Sequence, residues 1–279
     1  MGFLEIFKKD IKFDIGQSIN GYCIKKQLGE GRYGIAYLAQ NSNKELVTIK
    51  QLKKSMLKAS KSKVIFEPLI LKELNTLNCN YFPRYIDKFK DKLNRKGYIL
   101  EYIDGETFSD ILYKQNKVFS KTEIYEIALK LFDIIEILEN SNIVHKDIRI
   151  TNVIYTSSKD IKLIDFGLAR YIDNKNYKKE LDYWCIADFL IHLHYSNHED
   201  DKTLLKKKIP WYDELNLSSK ERFLLMSLMG IDNKKYDNIY TIRDDINIML
   251  KELKYNKLKL KLVPLVIRGT NFSFSLLYF

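Results

Sequence analysis

Ile143-Val144-His145-Lys146-Asp147-Ile148-Arg149-Ile150-Thr151-Asn152 is the stretch on which the reading of this chain turns. It follows the amphipathic run KTEIYEIALKLFDIIEILENSN, whose apolar residues fall at helical spacing, and Leu163-Ile164-Asp165-Phe166-Gly167 comes soon after. Phosphoryl transfer needs a carboxylate to orient the attacking hydroxyl, oxygen ligands for a hard divalent cation, and cations to offset charge on the transferring group. Asp147, Asn152, Asp165 and Arg149 are those residue types.

Working toward the N-terminus, Leu28-Gly29-Glu30-Gly31-Arg32-Tyr33-Gly34 lies between two strand-like runs. Three glycines there let backbone N–H groups approach a polyphosphate without a Cβ in the way. A dinucleotide-binding fold requires a helix directly after such a loop, and IAYLAQ reads as a strand, which disfavours that alternative. Val47-Thr48-Ile49-Lys50 then ends a strand-like run with a lysine able to face the same phosphates.

The surroundings agree in kind. From Tyr22 to Tyr102 the runs YCIKKQL, IAYLAQ, LVTIKQL and GYILEYI describe a small sheet with one helical stretch, and Asn41-Ser42-Asn43-Lys44 reads as a hairpin loop. Beyond Asp104, DYWCIADFLIHLHYS, SSKERFLLMSLMG and TIRDDINIMLKELK are helical patterns. The fold class is therefore α+β with two lobes. The divisions are a tail over 1–20, a β-rich lobe over 21–102, a hinge and helical lobe over 103–256, and a basic and apolar tail over 257–279.

Composition sets outer bounds. With 46% hydrophobic residues, the 279-residue chain can bury a sizeable core. Its start, MGFLEIFKKD, lacks a signal-like apolar core, and nowhere do eighteen apolar residues run together, so no membrane span and a cytoplasmic location are expected. Cys23, Cys79 and Cys185 form no CxxC pair and read as reduced thiols. The net charge of +11 favours anionic partners, a polyanion or nucleic acid among them. A chain rich in Lys, Asn, Ile and Tyr also reflects AT-rich codons, which offers a compositional origin for the same charge.

In order and content, GEGRYG, VTIK, ILEYI, HKDIRITN and IDFG resemble the eukaryotic-like (Hanks-type) protein kinases over residues 21–256, in a compact form similar to bacterial members. The resemblance implies a serine/threonine protein kinase using ATP and Mg²⁺, with Mn²⁺ as a substitute, acting on a protein substrate and with autophosphorylation as a further outcome. It implies that Lys50 grips the α- and β-phosphates and pairs with a helix-C glutamate, for which Glu67 fits the spacing better than Glu73. Pro68 directly after Glu67 fits only the first turn of a helix, so helix C is short or mobile. By the same resemblance Asp147 is the catalytic base, Arg149 stands where a lysine usually contacts the γ-phosphate, and Asn152 and Asp165 are the metal ligands. Adenine is expected between Leu28, Ala36 and Thr48 above and Ile154 below, under the loop of Gly29, Gly31 and Gly34. Backbone of Glu101 to Ile103 forms the hinge, and Leu100 is the gatekeeper. His145, Phe166, Leu71 and Tyr85 fit a packed regulatory spine.

Departures from the family are equally informative. Only sixteen residues separate Asp165 from Asp182, with no Ala-Pro-Glu motif among them, and Tyr236 stands where the arginine partnering that glutamate belongs. Lys146 replaces the arginine that receives an activation-loop phosphate, and lysine lacks the bidentate fork. The expected control is therefore constitutive competence, or action through helix C, a partner or the tails. Two other readings stand beside an active protein kinase: a small-molecule kinase of the aminoglycoside or choline type, and a pseudokinase nucleotide-binding scaffold. His192, His194 and His198 form no recognised zinc pattern. The basic stretch Lys53–Lys63 reads as a solvated loop, with a nucleic-acid backbone or phosphorylated partner as its alternative. The segment KLKLKLVPLVIRGTNFSFSLLYF reads as an added strand, a partner-binding strip or a weak membrane contact.

Overall fold

Alternation of apolar and polar residues builds a six-stranded antiparallel sheet in the order β1-β2-β3-β4-β6-β5. Its strands are β1 (Ser18–Ile19), β2 (Tyr22–Glu30), β3 (Gly34–Gln40), β4 (Leu46–Leu52), β5 (Tyr85–Lys90) and β6 (Lys96–Glu101). The computed structural model describes residues 10–59, 65–77, 79–173, 175–197, 209–233 and 235–266. The β3–β4 hairpin closes through 41–45, where Asn41 Oδ1 accepts from the N–H groups of Asn43 and Glu45 and Lys44 takes φ 66°. An asparagine that caps its own turn does the work of the missing Asn-Gly pair.

The two faces of the sheet have separate tasks. Ile24, Ile35, Tyr37, Ala39, Val47, Ile49, Phe89 and Ile99 pack together on one face. On the other, Gly29, Ala36, Lys50 and Tyr98 lie in one row across four strands, each directly opposite the next. Thr48 opposes Leu100 in the neighbouring row. Because residues two apart share a face, that row carries the glycine loop, the lysine and a tyrosine toward the cleft.

Residues 10–20, assigned to a tail by their sequence, belong to this lobe. Phe13 is buried among Tyr37 and Phe89, with the Arg95 guanidinium 3.9 Å from its ring centre. Arg95 also donates to the Lys12 carbonyl at 2.8 Å, and β1 pairs with β2. Each such fully buried apolar side chain contributes roughly 1.5–3 kcal/mol. A second difference lies in the basic stretch, where Lys54–Ala59 forms helix α1 rather than a loop. Lys54 donates its backbone N–H to Asp10 at 2.8 Å, so the new helix start and the N-terminal segment hold each other. The remainder of that stretch, residues 60–63, lies outside the described residues.

Helix α2 (Glu67–Leu74) is eight residues long, with Pro68 in its first turn and Phe66 as an N-cap that makes no side-chain hydrogen bond. After β6 the chain crosses to the helical lobe. There follow β7 (Glu106–Thr107), α3 (Phe108–Tyr113) and α4 (Lys121–Asn140), the last entered through a Ser120/Glu123 capping box. The short strands β8 (Ile143–Val144), β9 (Val153–Tyr155), β10 (Ile161–Leu163) and β11 (Arg170–Tyr171) form two small ladders, β10-β9-β7 and β11-β8. Helices α5 (Glu180–Tyr195), α6 (Trp211–Glu214), α7 (Ser219–Met229) and α8 (Ile239–Val266) complete the lobe. Residues 257–266 continue α8, replacing the strand considered for them, and 267–279 lie outside the described residues. Among the described residues no helix is long and apolar enough to cross a membrane.

Candidate active site

Lys50 stands at the centre of the cleft. Its Nζ lies 2.8 and 2.6 Å from the two oxygens of Glu67 and 2.6 Å from Asp165 Oδ1, although Asp165 is 115 residues away in sequence. Burial alone would lower the Lys50 pKa, but the two carboxylates outweigh it and hold the ammonium above its ordinary value. Burial works to raise Asp165, and the Lys50 charge and hydrogen bond overcome it, so this carboxyl stays below its ordinary range. The Lys50 ammonium and the Asp165 carboxylate thus each favour the other's charged form. Glu73, the other candidate for this pairing, points elsewhere and accepts from Tyr171 Oη at 2.8 Å.

The loop after β8 supplies the other half. Lys146 takes φ 68°, a left-handed bend that brings Asp147 and Asn152 together. Asn152 Nδ2 donates to Asp147 Oδ2 and to the Asp147 carbonyl, both at 2.9 Å, and Arg149 Nε lies 2.9 Å from Asp147 Oδ1. Burial raises the Asp147 pKa against the opposing pull of Arg149. Asp165 also lies in the left-handed region, at φ 64° and ψ 73°, where its Oδ1 accepts from the Gly167 N–H at 3.3 Å.

The glycine loop divides by geometry. A Cβ at Gly34 would stand 2.5 Å from the Gln51 carbonyl, so the fold itself demands glycine there. At Gly29 and Gly31 a Cβ would meet nothing, which leaves open space under the loop. The Tyr33 ring reaches over Gly167, its Cδ2 3.1 Å from where a Cβ would be. Glu30 is held by Lys12 at 2.6 Å and Lys53 at 2.8 Å, which pull its carboxyl down to about 2. Below the loop, Leu100, Ile103 and Ile154 are buried while Leu28 is exposed, so an apolar floor faces a more open roof. Glu101 is tied to Arg84 by a 3.1 Å ion pair.

The residues present suit a nucleotide accompanied by a divalent cation. Asn152 uses its amide N–H groups on Asp147, and its Oδ1 accepts only a long 3.4 Å contact from Thr151. Asp165 engages Lys50 and Gly167 through Oδ1. Hard oxygen donors of this type hold Mg²⁺ when phosphate oxygens complete the shell. Among the described residues no cluster of three or more His, Cys, Asp or Glu could hold a metal alone.

A family model for the protein kinase domain matches residues 22–200. The chain belongs to the protein kinase family. Among its relatives is a probable serine/threonine-protein kinase of Bacillus subtilis strain 168, YbdM, 31% identical over 232 residues that span 81% of this chain and 88% of that protein. The sporulation protein kinase mde3 of Schizosaccharomyces pombe is 33% identical over 165 residues, 53% of this chain and 29% of that protein. The mouse serine/threonine-protein kinase ICK is 24% identical over 245 residues, 74% of this chain and 38% of that protein.

As a protein kinase this chain has an unusual stretch between Asp165 and α5. Asp173 accepts from the N–H groups of Lys175, Asn176 and Tyr177 and closes a tight turn. Lys146 Nζ sits 4.3 Å from the Tyr177 ring centre. Tyr236 is buried and donates to Asp245 at 2.7 Å, a phenol at the position compared above with an arginine. His145 and Phe166 pack edge to face at 4.6 Å, and Leu71 is fully buried in the same core, with Tyr85 packed at its margin.

Sequence reading passed over two residues of the kinase cleft. Asp182, noticed only as the start of a helix, is buried and accepts from the backbone N–H groups of His145 and Lys146, each at 2.7 Å. Burial pushes its carboxyl up to about 7 against those two donors. Tyr98, read as an ordinary strand residue, donates to Glu67 Oε2 at 2.5 Å. Of the histidines weighed for metal, His194 is a core residue in contact with Tyr125 Oη at 3.2 Å. His192 faces Asp188 at 3.8 Å, and His198 lies outside the described residues.

Proposed function

We propose that the chain transfers the γ-phosphate of ATP to serine or threonine hydroxyls of a protein substrate, with Asp147, Lys50, Arg149 and Glu67 as its catalytic group. The observation that carries this reading is Lys50, shared at 2.6 Å between Glu67 of α2 and Asp165 of the helical lobe, facing an Asp147–Asn152 pair joined at 2.9 Å. The serine/threonine kinases among its relatives support the acceptor class.

In this mechanism Lys50 holds the α- and β-phosphates while Glu67 keeps the ammonium aimed at them. Asn152 and Asp165 would hold the divalent cation, Mg²⁺ or Mn²⁺, which would neutralise phosphate charge. Asp147 accepts the hydrogen bond of the incoming hydroxyl and takes its proton as the new O–P bond forms, while the bond from the γ-phosphorus to the β–γ bridging oxygen breaks and ADP leaves. Its raised pKa makes it a better proton acceptor than an exposed aspartate, and Asn152 fixes its direction. Arg149, already beside Asp147, offers a cation to the transferring group. Leu28, Ala36 and Ile154 enclose the adenine, with Gly29, Gly31 and Gly34 above the phosphates and backbone of Glu101 and Ile103 at the hinge.

The test is incubation with labelled ATP and Mg²⁺, with a generic protein acceptor and with small-molecule hydroxyl acceptors, using Asp147→Asn as the control. Labelled phosphoserine or phosphothreonine that disappears in the variant supports the reading. Label confined to small molecules would reassign the substrate. Nucleotide binding without transfer would make the chain a scaffold.

A further inference from the structure

We infer that Tyr98 is a positioning residue: standing directly across the sheet from Lys50, its hydroxyl holds the Glu67 carboxylate through Oε2, the oxygen it shares with the lysine. The inference rests on the proposed roles of Lys50 and Glu67 and adds a residue that the kinase motifs do not contain.

Register creates the clamp. Lys50 and Tyr98 are Cα partners in the β4–β6 ladder, so their side chains leave the same face of two hydrogen-bonded strands. Both reach Glu67 at the start of α2, Lys50 touching each oxygen and Tyr98 Oη donating to Oε2 at 2.5 Å. All three are largely buried, with 9%, 3% and 2% exposure for Lys50, Tyr98 and Glu67. A buried carboxylate needs donors for both oxygens, and a hydrogen bond to a charged acceptor is about twice as strong as a neutral one. Burial and the Glu67 charge raise the Tyr98 phenol well above its ordinary pKa, so it remains a donor throughout the working range.

Helix α2 has little of its own to hold Glu67 in place. Its N-cap makes no side-chain bond, Pro68 removes a donor from its first turn, and it has eight residues. The strands, by contrast, are fixed at the centre of the sheet. Gly97, beside Tyr98, permits this close approach, since a Cβ there would stand 2.0 Å from the Lys50 carbonyl and 2.7 Å from the Phe89 ring. Orientation of Glu67 is thus delegated from a short helix to a rigid ladder.

The experiment uses the full chain in four forms: wild type, Tyr98→Phe, Glu67→Gln and the double variant. Phosphate transfer from labelled ATP and hydrogen exchange across α2 are measured together, alongside thermal unfolding. Tyr98→Phe keeps the ring and removes only the donor. It is expected to lower kcat about 10- to 100-fold, leave KM for the protein acceptor within twofold, and speed exchange in α2 by a similar factor. In the Glu67→Gln background it should change kcat by less than twofold, because the bond it would break is already altered. Wild-type kcat in Tyr98→Phe, or losses that multiply in the double variant, would overturn the inference. If the wild-type chain transfers no phosphate, the proposed function fails by itself. The exchange rates then decide on Tyr98, unchanged exchange in Tyr98→Phe overturning its role.

Discussion

The nucleotide end of the cleft and the stretch between Asp165 and α5 treat charge in opposite ways. At the first, Lys50, Glu67 and Asp165 form a network of ion pairs, two of its members largely buried. At the second, Tyr236 bonds Asp245 through a neutral phenol, and Lys146 rests on the Tyr177 ring. Burying ions is costly unless each is paired, so a chain retains them where they act on a substrate. Where the family resemblance would place phosphate-responsive arginine and an ion pair, this chain has a phenol on a carboxylate and a lysine on an aromatic ring. The two regions therefore differ in how they are tied together: the cleft keeps its ions, and the later stretch is held by a phenol and an aromatic ring.

The largest effect should come from breaking the chemical end. Asp147→Asn is expected to lower phosphate transfer by about 10²- to 10⁴-fold with unchanged folding, measured by label incorporation. Lys50→Met removes one partner from a buried pair and leaves Glu67 uncompensated, at a cost of about 3–5 kcal/mol. Denaturant titration should show it as a lower midpoint at constant slope. The contrast with the second region is then tested by Tyr236→Phe, which deletes a single hydrogen bond to a carboxylate worth about 1.5–3 kcal/mol. It should lower Tm and leave kcat within twofold of wild type. A large kcat loss in that variant would show that the two regions are coupled after all. The smallest expected effect is a shift in pH dependence. Burial already raises Asp147, and Arg149 opposes that rise. Removing a cation disfavours the carboxylate, so Arg149→Ala should move the acid limb of the kcat profile to higher pH. An unmoved limb would mean that Arg149 does not act on Asp147.

What could be read from the chain was whatever depends on residue type at close spacing. Asp147 and Asn152 are five residues apart and meet within one loop, and the glycines of residues 29–34 announce themselves by their missing side chains. The choice of Glu67 over Glu73 was also accessible, through the family's spacing from Lys50. Tyr98 was not. Period-two alternation says which face a strand residue occupies, but not that its opposite number is Lys50 or that a helix 31 residues earlier lies above it. Asp182 was invisible as an anchor for the same reason, since its partners are backbone N–H groups 36 and 37 residues away. Phe13 and α1 were missed because a basic, weakly periodic sequence hides one apolar anchor among many lysines. In each case the decisive contact is tertiary and leaves no local pattern.

The short stretch after Asp165 is held at three points, by Tyr171 on Glu73, by the turn around Asp173 and by Tyr177 against Lys146. Residues 166–181 also contain no serine or threonine. An enzyme that modifies those hydroxyls therefore has nothing of that class to write on there. Copies of this protein cannot mark one another on serine or threonine within that segment, and any such mark has to fall on another part of the chain.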